Sequence, residues 1–159
     1  MANREITLVE VAAVPTLVVA ATSTWARFPT LWPELSGEVW ACLQAGGVVG
    51  GSPNVMLYLD DRPRVEVGVV WSAAVPLTGR VRRSTLPAGR VARTVHRGRY
   101  SGLAATHRAL LDWCASSELR PTQTRWEIYG PHRDDPDQLR VEVCWLVRTQ
   151  SAVSPPLSP

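Results

Sequence analysis

An internal repeat constrains the fold of this chain more than any other feature of its sequence. Residues of the first half reappear in the second half at a shift of about 72 positions, in the same order along the chain. The aligned positions are Pro15 with Pro87, Phe28 with Tyr100, Leu31 with Leu103, Met56-Leu57-Tyr58 with Glu127-Ile128-Tyr129, and Arg64-Val65-Glu66-Val67 with the identical Arg140-Val141-Glu142-Val143. Chance can produce any one match, but their common order indicates a duplicated structural unit.

The first half predicts the order strand, helix, strand, strand. The β-branched residues of 6–21 predict one long strand or two strands joined near Pro15. Apolar residues from Phe28 to Val39 then recur at helical spacing, and Gly46-Gly47 ends that helix. Residues 55–59 and 65–71 follow as a hairpin.

The second half predicts the same order. Residues 81–95 form a strand pair or a bent strand, a helix starts near Ser101, and residues 125–129 and 139–147 form a second hairpin. The predicted fold class is α+β: duplicated strand-helix-strand-strand modules, with an antiparallel sheet, two helices and a central ligand groove. We expect one domain over residues 1–149, with pseudo-repeats at about 5–73 and 79–148, and a disordered Ser/Pro tail over 150–159.

Composition narrows the class of protein and of site. The 17 basic residues are all Arg and are interspersed with 14 acidic residues, so we expect no direct nucleic-acid binding. No stretch reaches the roughly 20 apolar residues of a membrane span, and three widely spaced Cys predict buried thiols in a reducing cytoplasm. We predict no metal and no cofactor, because metal-ligand spacing, a P-loop and a dinucleotide fingerprint are all missing from the sequence.

Alternation along the strand at 125–129 places an acid and a phenol on one face. Trp126 and Ile128 face one way, and Glu127 and Tyr129 face the other. If the apolar pair packs under the helices, Glu127 and Tyr129 share the opposite surface. The repeat places Met56 and Tyr58 at the equivalent positions, so these four side chains are predicted to line a small-molecule groove.

Several motifs of the second half resemble one known family. They are Leu86-Pro87-Ala88-Gly89-Arg90-Val91-Ala92, His96-Arg97-Gly98-Arg99-Tyr100-Ser101-Gly102-Leu103, Trp126-Glu127-Ile128-Tyr129-Gly130, and Asp134-Asp135-Pro136 with Leu139-Arg140-Val141-Glu142-Val143. The chain thereby resembles the GyrI-like small-molecule-binding domain, which is also the effector-binding half of multidrug-sensing transcription activators. The resemblance is clear over about residues 80–147, and in the first half it rests mainly on element order.

The resemblance implies that Glu127 lies in the pocket and meets a cationic, lipophilic ligand. Aromatic faces attract such a cation, and a buried carboxylate compensates its charge. The primary functional hypothesis is protection, or antibiotic self-resistance, by sequestration of a drug or natural product. The alternative for Glu127 is an exposed strand acid paired with an Arg, and Tyr129 is nearly as well explained as a core residue.

Two other function classes stay open. One subfamily of GyrI-like proteins hydrolyses the strained cyclopropane of duocarmycin-type DNA alkylators, and similarity to it implies that Glu127 orients or deprotonates a water. A partner-binding inhibitor that uses the rim of the groove is the third class. Either a monomer or a homodimer is compatible with the sequence.

The seven Trp against one Phe predict that some indoles face the groove. Trp32, Trp71 and Tyr100 are the candidate walls, and Trp40 is as well suited to the core as to the pocket. Trp113, Trp126 and Trp145 are assigned to the core because each has apolar neighbours, whereas the pattern does not assign Trp25. His107 lies on an apolar helical stripe and is interpreted as a hydrogen-bonded structural His.

Overall fold

The computed structural model describes residues 5–148, so the predicted tail at 150–159 lies outside the described residues. The elements occur in the predicted order, with a short 3₁₀ turn before the second helix and another inside the last hairpin. The strands are β1 (Thr7–Val11), β2 (Val14–Thr22), β3 (Asn54–Tyr58), β4 (Arg64–Val70), β5 (Arg82–Leu86), β6 (Gly89–Arg97), β7 (Pro121–Tyr129) and β8 (Arg140–Val147), and the helices are α1 (Phe28–Ala45) and α2 (Leu103–Ser116).

Within residues 5–148, eight antiparallel strands form one sheet in the order β1-β6-β8-β7-β3-β4-β2-β5. Within the first module β4 lies between β2 and β3, and within the second β8 lies between β6 and β7. The two modules join where β3 pairs with β7. This is the predicted α+β class, with a duplicated module, an antiparallel sheet and two helices.

The strands that open the two modules form one long bent ribbon. The β1–β6 ladder ends at Val11 opposite Gly89, and the β2–β5 ladder begins at Val14 opposite Leu86, so the register is the same on both sides of the bend. The sequence predicted a join near Pro15, but the break lies at residues 12–13, and Pro15 pairs within β2 opposite Thr85. Pro15 is tolerated there because it is the second residue of β2 and precedes the β2–β4 ladder, which begins at Thr16.

The strand register locates the pseudo-twofold axis that relates the modules. In an antiparallel pair crossed by such an axis, only the residue at the axis faces its own repeat equivalent. Val14 faces Leu86, which is 72 positions later, and Met56 faces Glu127, which is 71 positions later. The shifts found in the sequence are therefore the shifts that bring equivalent residues together in space.

Both helices lie on one face of the sheet, and this corrects the predicted arrangement of Trp126 and Ile128. α1 packs on Leu17, Val67 and neighbouring residues of the first module, and α2 packs on the second module. Trp126 and Ile128 instead belong to a third apolar cluster inside the bend of the sheet, against Val55, Leu57, Leu86 and Val91. The alternation was predicted correctly, but Glu127 and Tyr129 lie on the helix face.

Local sequence explains where the helices begin and end. Pro29 lies in the first turn of α1, where backbone N–H groups lack helical partners anyway, and Gly46 follows its last residue. Pro33 lies inside α1 and removes one backbone hydrogen bond. Among residues 5–148 neither helix is long and apolar enough to span a membrane.

Candidate functional site

A cavity of about 680 Å³ lies on the helix face where the two modules join. Its floor comes from the central strands β3 and β7, and its walls come from the first turns of α1 and α2 and the residues just before α2. The lining is mostly apolar and aromatic, and includes Phe28, Pro29, Trp32, Met56, Tyr58, Val67, Tyr100, Leu103, Glu127 and Tyr129. This volume and lining are typical of a small-molecule site.

The structure brings six of the seven predicted ligand-binding residues to this cavity: Met56, Tyr58, Glu127, Tyr129, Trp32 and Tyr100. Trp71 is the exception and does not line it. It lies past the end of β4, beyond the Asn54–Val69 pair, and packs half-buried against the core beneath α1. The structure therefore does not bring Trp71 to the cavity. The sequence places Trp71 at a strand end, but it does not show which end of α1 lies near that strand end.

Glu127 is the buried acid of the cavity, with 4% of its surface exposed. Its Oε1 accepts hydrogen bonds from the hydroxyls of Tyr58 at 3.1 Å and Tyr129 at 2.7 Å. Its Oε2 lies 2.8 Å from Nε2 of His107. Among the described residues no Arg pairs with Glu127. Glu127 is therefore not an exposed strand acid paired with an Arg, which was the alternative interpretation.

Burial and the Glu127 carboxylate together hold the two tyrosines in their protonated form. Desolvation raises the pKa of Tyr58 and of Tyr129 far above the usual value of 10, and the adjacent negative charge raises both further. Both phenols therefore remain hydrogen-bond donors at neutral pH. They satisfy Glu127 without neutralising its charge.

His107 and Trp145 extend this hydrogen-bond network, and sequence reasoning missed their connection to the site. His107 is hydrogen-bonded, as the sequence predicts for a structural His, but one of its partners is the candidate site acid. Trp145, assigned to the core, is buried and donates from Nε1 to Nδ1 of His107 at 2.9 Å. The only local signal was the polar residue His107 on an otherwise apolar helical stripe.

Arg125 is a second residue that the sequence pattern did not single out. Its guanidinium carbon lies 5.4, 5.2 and 5.0 Å from the ring centroids of Trp25, Tyr58 and Trp145. Its Nη1 also donates to Asp61 at 2.7 Å. The charge of this buried Arg is therefore balanced by rings and by Asp61.

Aromatic side chains from both modules surround the acid. Phe28 of α1 contacts Tyr58 edge-on at 5.5 Å, and the equivalent pair Tyr100 and Tyr129 does so at 5.6 Å. Trp32 and Tyr100 line the cavity while 38% and 43% exposed, so they form part of its mouth. Trp25, which the sequence left unassigned, contacts both Phe28 and Tyr58.

The described residues hold no group of three or more His, Cys, Asp or Glu that could bind a metal ion. The three thiols, Cys42, Cys114 and Cys144, are buried and free. The chemistry that the site offers is thus a carboxylate, phenol hydroxyls and an imidazole beside aromatic walls.

Comparison with known proteins gives one family. The family model of the GyrI-like small molecule binding domain matches residues 4–148. A search of curated proteins found no match.

Solved structures with the same fold are numerous. The C-terminal domain of EcmrR is similar with a TM-score of 0.74 and 16% identity, over 92% of this chain and 98% of that domain. SAV2435 bound to tetraphenylphosphonium has a TM-score of 0.59 and 12% identity, over 91% and 94% of the two chains. A hydrolase from Listeria innocua has a TM-score of 0.57 and 11% identity, over 91% and 92%. At these identities the likeness concerns the fold.

Proposed function

This chain belongs to the family of GyrI-like small molecule binding domains, and on that premise we propose that it binds a lipophilic organic cation in the cavity beside Glu127. Binding of this kind would protect the cell by sequestering a drug or a reactive natural product.

The observation that supports the proposal is that Glu127 is a buried carboxylate, and its partners in the protein do not compensate its charge. Glu127 receives hydrogen bonds from two phenols and faces an imidazole. The nearby cation Arg125 is already paired with Asp61. A buried charge without a counter-ion is costly, and a cationic ligand that enters the cavity removes that cost.

The geometry of the carboxylate leaves room for such a ligand. A carboxylate has about four lone-pair sites. The two tyrosines use those on Oε1, and His107 uses one on Oε2. One lone pair of Oε2 therefore stays available to a ligand in the cavity.

The aromatic walls favour a large, delocalised cation over a small, strongly hydrated one. Ring faces attract cations by their quadrupole, and desolvation strengthens that attraction. A lipophilic cation loses little hydration energy when it enters the cavity, whereas an ammonium ion or a metal ion loses much more.

Fluorescence and calorimetric titration with two probes of matched shape and opposite charge tests the proposal. Tetraphenylphosphonium is the cation, and it is chosen because SAV2435, which has the same fold, was solved bound to it. Tetraphenylborate is the corresponding anion. We expect quenching of Trp fluorescence and a clear preference for the cation, and equal affinity for both probes would contradict the proposal.

Glu127→Gln is the decisive variant because it removes the charge and keeps the shape. We expect it to weaken tetraphenylphosphonium binding by about tenfold to a hundredfold, the usual effect of losing a partly desolvated charge pair. Glu142→Gln is the matched control, since Glu142 lies on β8 and pairs with Arg93 outside the cavity. Unchanged affinity for tetraphenylphosphonium in Glu127→Gln would contradict the proposal that Glu127 forms a cation site.

Ring-opening hydrolysis is the second candidate function, and the free lone pair of Glu127 Oε2 is the observation that favours it. A water held there could attack a cyclopropane carbon. Glu127 Oε2 would accept a proton from this water as the carbon–oxygen bond forms. The ring carbon–carbon bond would break, a conjugated carbonyl would accept its electron pair, and the proton would pass to that oxygen. Mass spectrometry of an incubated cyclopropane substrate checks this: addition of one water, lost in Glu127→Gln, supports hydrolysis, and an unchanged substrate leaves sequestration.

A further inference from the structure

The network behind Glu127 determines the protonation state of His107. An indole N–H is a donor only, so the Trp145 Nε1 that lies 2.9 Å from His107 Nδ1 must donate to it. Nδ1 is then unprotonated, and the ring proton of the neutral imidazole is on Nε2. That proton points at Glu127 Oε2, 2.8 Å away.

Protonation of His107 would disrupt this arrangement. A charged imidazole carries N–H groups at both nitrogens, so its Nδ1–H would face the N–H of Trp145, donor against donor. The hydrogen bond from the buried Trp145 would be lost. In exchange, the imidazolium would form an ion pair with Glu127.

The other charged and titratable groups around His107 are already engaged. On β7, Arg125 pairs with Asp61, and Tyr129 donates to Glu127, as does Tyr58 of β3. On β6, His96 is bonded through its two ring nitrogens to Thr106 Oγ1 and the Arg99 carbonyl, each at 2.7 Å. His107 is thus the imidazole in direct contact with Glu127, and its two ring nitrogens are engaged by Glu127 and Trp145.

We propose that His107 sets the charge of the cavity and thereby its ligand specificity. With His107 neutral, the cavity carries the single negative charge of Glu127 and selects a lipophilic monocation. With His107 protonated, the charge of Glu127 is cancelled from within the protein, and the cation is released. This inference rests on the proposed function, and it assigns His107 as a specificity-determining residue whose protonation competes with ligand.

The sign of the pH dependence follows directly. As the pH falls, His107 gains a proton, the cavity loses its net negative charge, and the affinity for a cation decreases. The affinity for an anion of the same shape increases. Tetraphenylphosphonium and tetraphenylborate do not change charge between pH 8 and pH 5.5, so they report the charge of the protein.

Titration of both probes from pH 8 to pH 5.5 at constant ionic strength is the first part of the test. For the unaltered protein we expect the affinity for tetraphenylphosphonium to fall by about tenfold, as a full charge appears within a few ångströms of the ligand. His107→Gln keeps a side-chain donor for Glu127 and an acceptor for Trp145 but does not titrate. Its affinity is expected to change less than about twofold over the same range.

Two further variants separate His107 from other causes. Trp145→Phe keeps a ring but removes the N–H, so Nδ1 is free to take a proton and the loss of affinity should move to higher pH. Trp113→Phe is its control, since Trp113 packs half-buried against the same core without contacting His107 through a hydrogen bond in the described structure. His132→Asn addresses the exposed imidazole at the cavity lining and should retain the pH dependence of the unaltered protein.

The outcomes distinguish the two proposals. If tetraphenylphosphonium binds at pH 8 in a Glu127-dependent way and its affinity stays flat down to pH 5.5, the role of His107 is wrong and the cation site stands. The role of His107 is also wrong if His107→Gln keeps the full pH dependence. If the cation does not bind at any pH, both proposals fail. Nitrogen NMR of the imidazole gives a check without ligand: a proton on Nδ1 at pH 8 would overturn the inference.

Discussion

The two modules of this protein share a backbone plan but differ in chemistry at equivalent positions. In both, a tyrosine of the central strand contacts an aromatic residue at the start of the helix, at 5.5 Å for Tyr58 and Phe28 and 5.6 Å for Tyr129 and Tyr100. The shifts of the repeat also align Met56 with Glu127, Leu35 with His107 and Val69 with Trp145. The strand ladders support this alignment, because Asn54 pairs with Val69 as Arg125 pairs with Trp145.

The difference between these two sets of residues shows how a duplicated fold acquires a site. Leu35 and Val69 are fully buried and Met56 is nearly so, and all three belong to the core of the first module. Their equivalents form the hydrogen-bonded chain from Trp145 through His107 to Glu127. One module contributes an apolar wall and the other contributes the charge, so the cavity at their junction is asymmetric although the scaffold is not.

A second carboxylate, placed at the equivalent position of the first module, should have the largest effect on stability. In Met56→Glu a second buried acid would face Glu127 directly across the β3–β7 ladder. The first module has Leu35 at the position equivalent to His107, so the new acid would lack an imidazole partner. We expect the free energy of unfolding at pH 7 to fall by about 4 kcal/mol, because the new charge has no buried partner. Denaturant unfolding measures this, with Met56→Leu as the volume-matched control. A loss below about 1 kcal/mol would contradict it.

Truncation of the equivalent helix residues Leu35 and His107 should distinguish a core residue from a member of the hydrogen-bond network around Glu127. Leu35 is fully buried, so Leu35→Ala should cost about 3 kcal/mol of unfolding free energy with little change in the preference between cation and anion. His107→Ala should cost less, about 1 to 2 kcal/mol, while it alters that preference and its pH dependence. Denaturant unfolding and probe titration are compared on the same samples. Equal stability losses with no change in probe preference would mean that both residues act only as core.

Removing the two equivalent phenol hydroxyls one at a time should show which module contributes more to ligand affinity. Tyr129 donates to Glu127 at 2.7 Å and Tyr58 donates at 3.1 Å. Tyr129→Phe is expected to weaken tetraphenylphosphonium binding by about threefold to tenfold, and Tyr58→Phe by less, since shorter charge-assisted hydrogen bonds are stronger. Isothermal titration calorimetry measures both. The reverse ranking would show that the closer hydroxyl does not hold the carboxylate in place.

The smallest expected effect concerns the hairpin turns of the two modules. In the first, Asp60 accepts from the backbone N–H groups of Arg62 and Arg64 and from the Arg64 side chain. The Arg64 hydrogen bonds lower the pKa of Asp60 from 3.8 to about 2. A carboxyl whose pKa is lowered by folding stabilises the native state above its unfolded pKa, and this is lost as the pH falls through its folded pKa.

Asp60→Asn should therefore lower stability slightly at pH 7 and have no effect near pH 2. Thermal unfolding of both proteins at pH 7, 4 and 2 measures the difference. Asp134→Asn is the control in the second hairpin, where Asp134 is fully exposed. A difference that persists unchanged at pH 2 would show that the charge of Asp60 is not its cause.

Much of the architecture could be predicted from the sequence because it depends on local pattern. The helix of the first half, the hairpins and the alternation of Glu127 and Tyr129 follow from the spacing of apolar residues and from turn residues such as Gly46. The repeat then predicted that Met56 and Tyr58 lie at equivalent positions, and the β3–β7 register places them beside β7. Periodicity and self-similarity are properties of sequence alone.

The contacts of the site depend on information that local pattern does not contain. Residues at 107, 125 and 145 come from a helix and two strands, and their approach to Glu127 and Tyr58 depends on which face of the sheet the helices cover. Alternation defines two faces but not which one the helices cover, which is why the sequence could not show that Trp126 and Ile128 pack on the face opposite the helices. The position of Trp71 outside the cavity could not be predicted for a related reason, because strand periodicity does not show which end of α1 lies above a strand end.

By itself the sequence therefore determined a duplicated antiparallel fold with an acid and phenols on one strand face, because side-chain direction in a strand is set by residue number. Only the tertiary structure decided that His107 faces this acid and that Trp145 donates a hydrogen bond to Nδ1 of His107. Those contacts join residues 20 and 38 positions apart, and they exist because packing of α2 on the sheet brings an imidazole within hydrogen-bond distance of both partners.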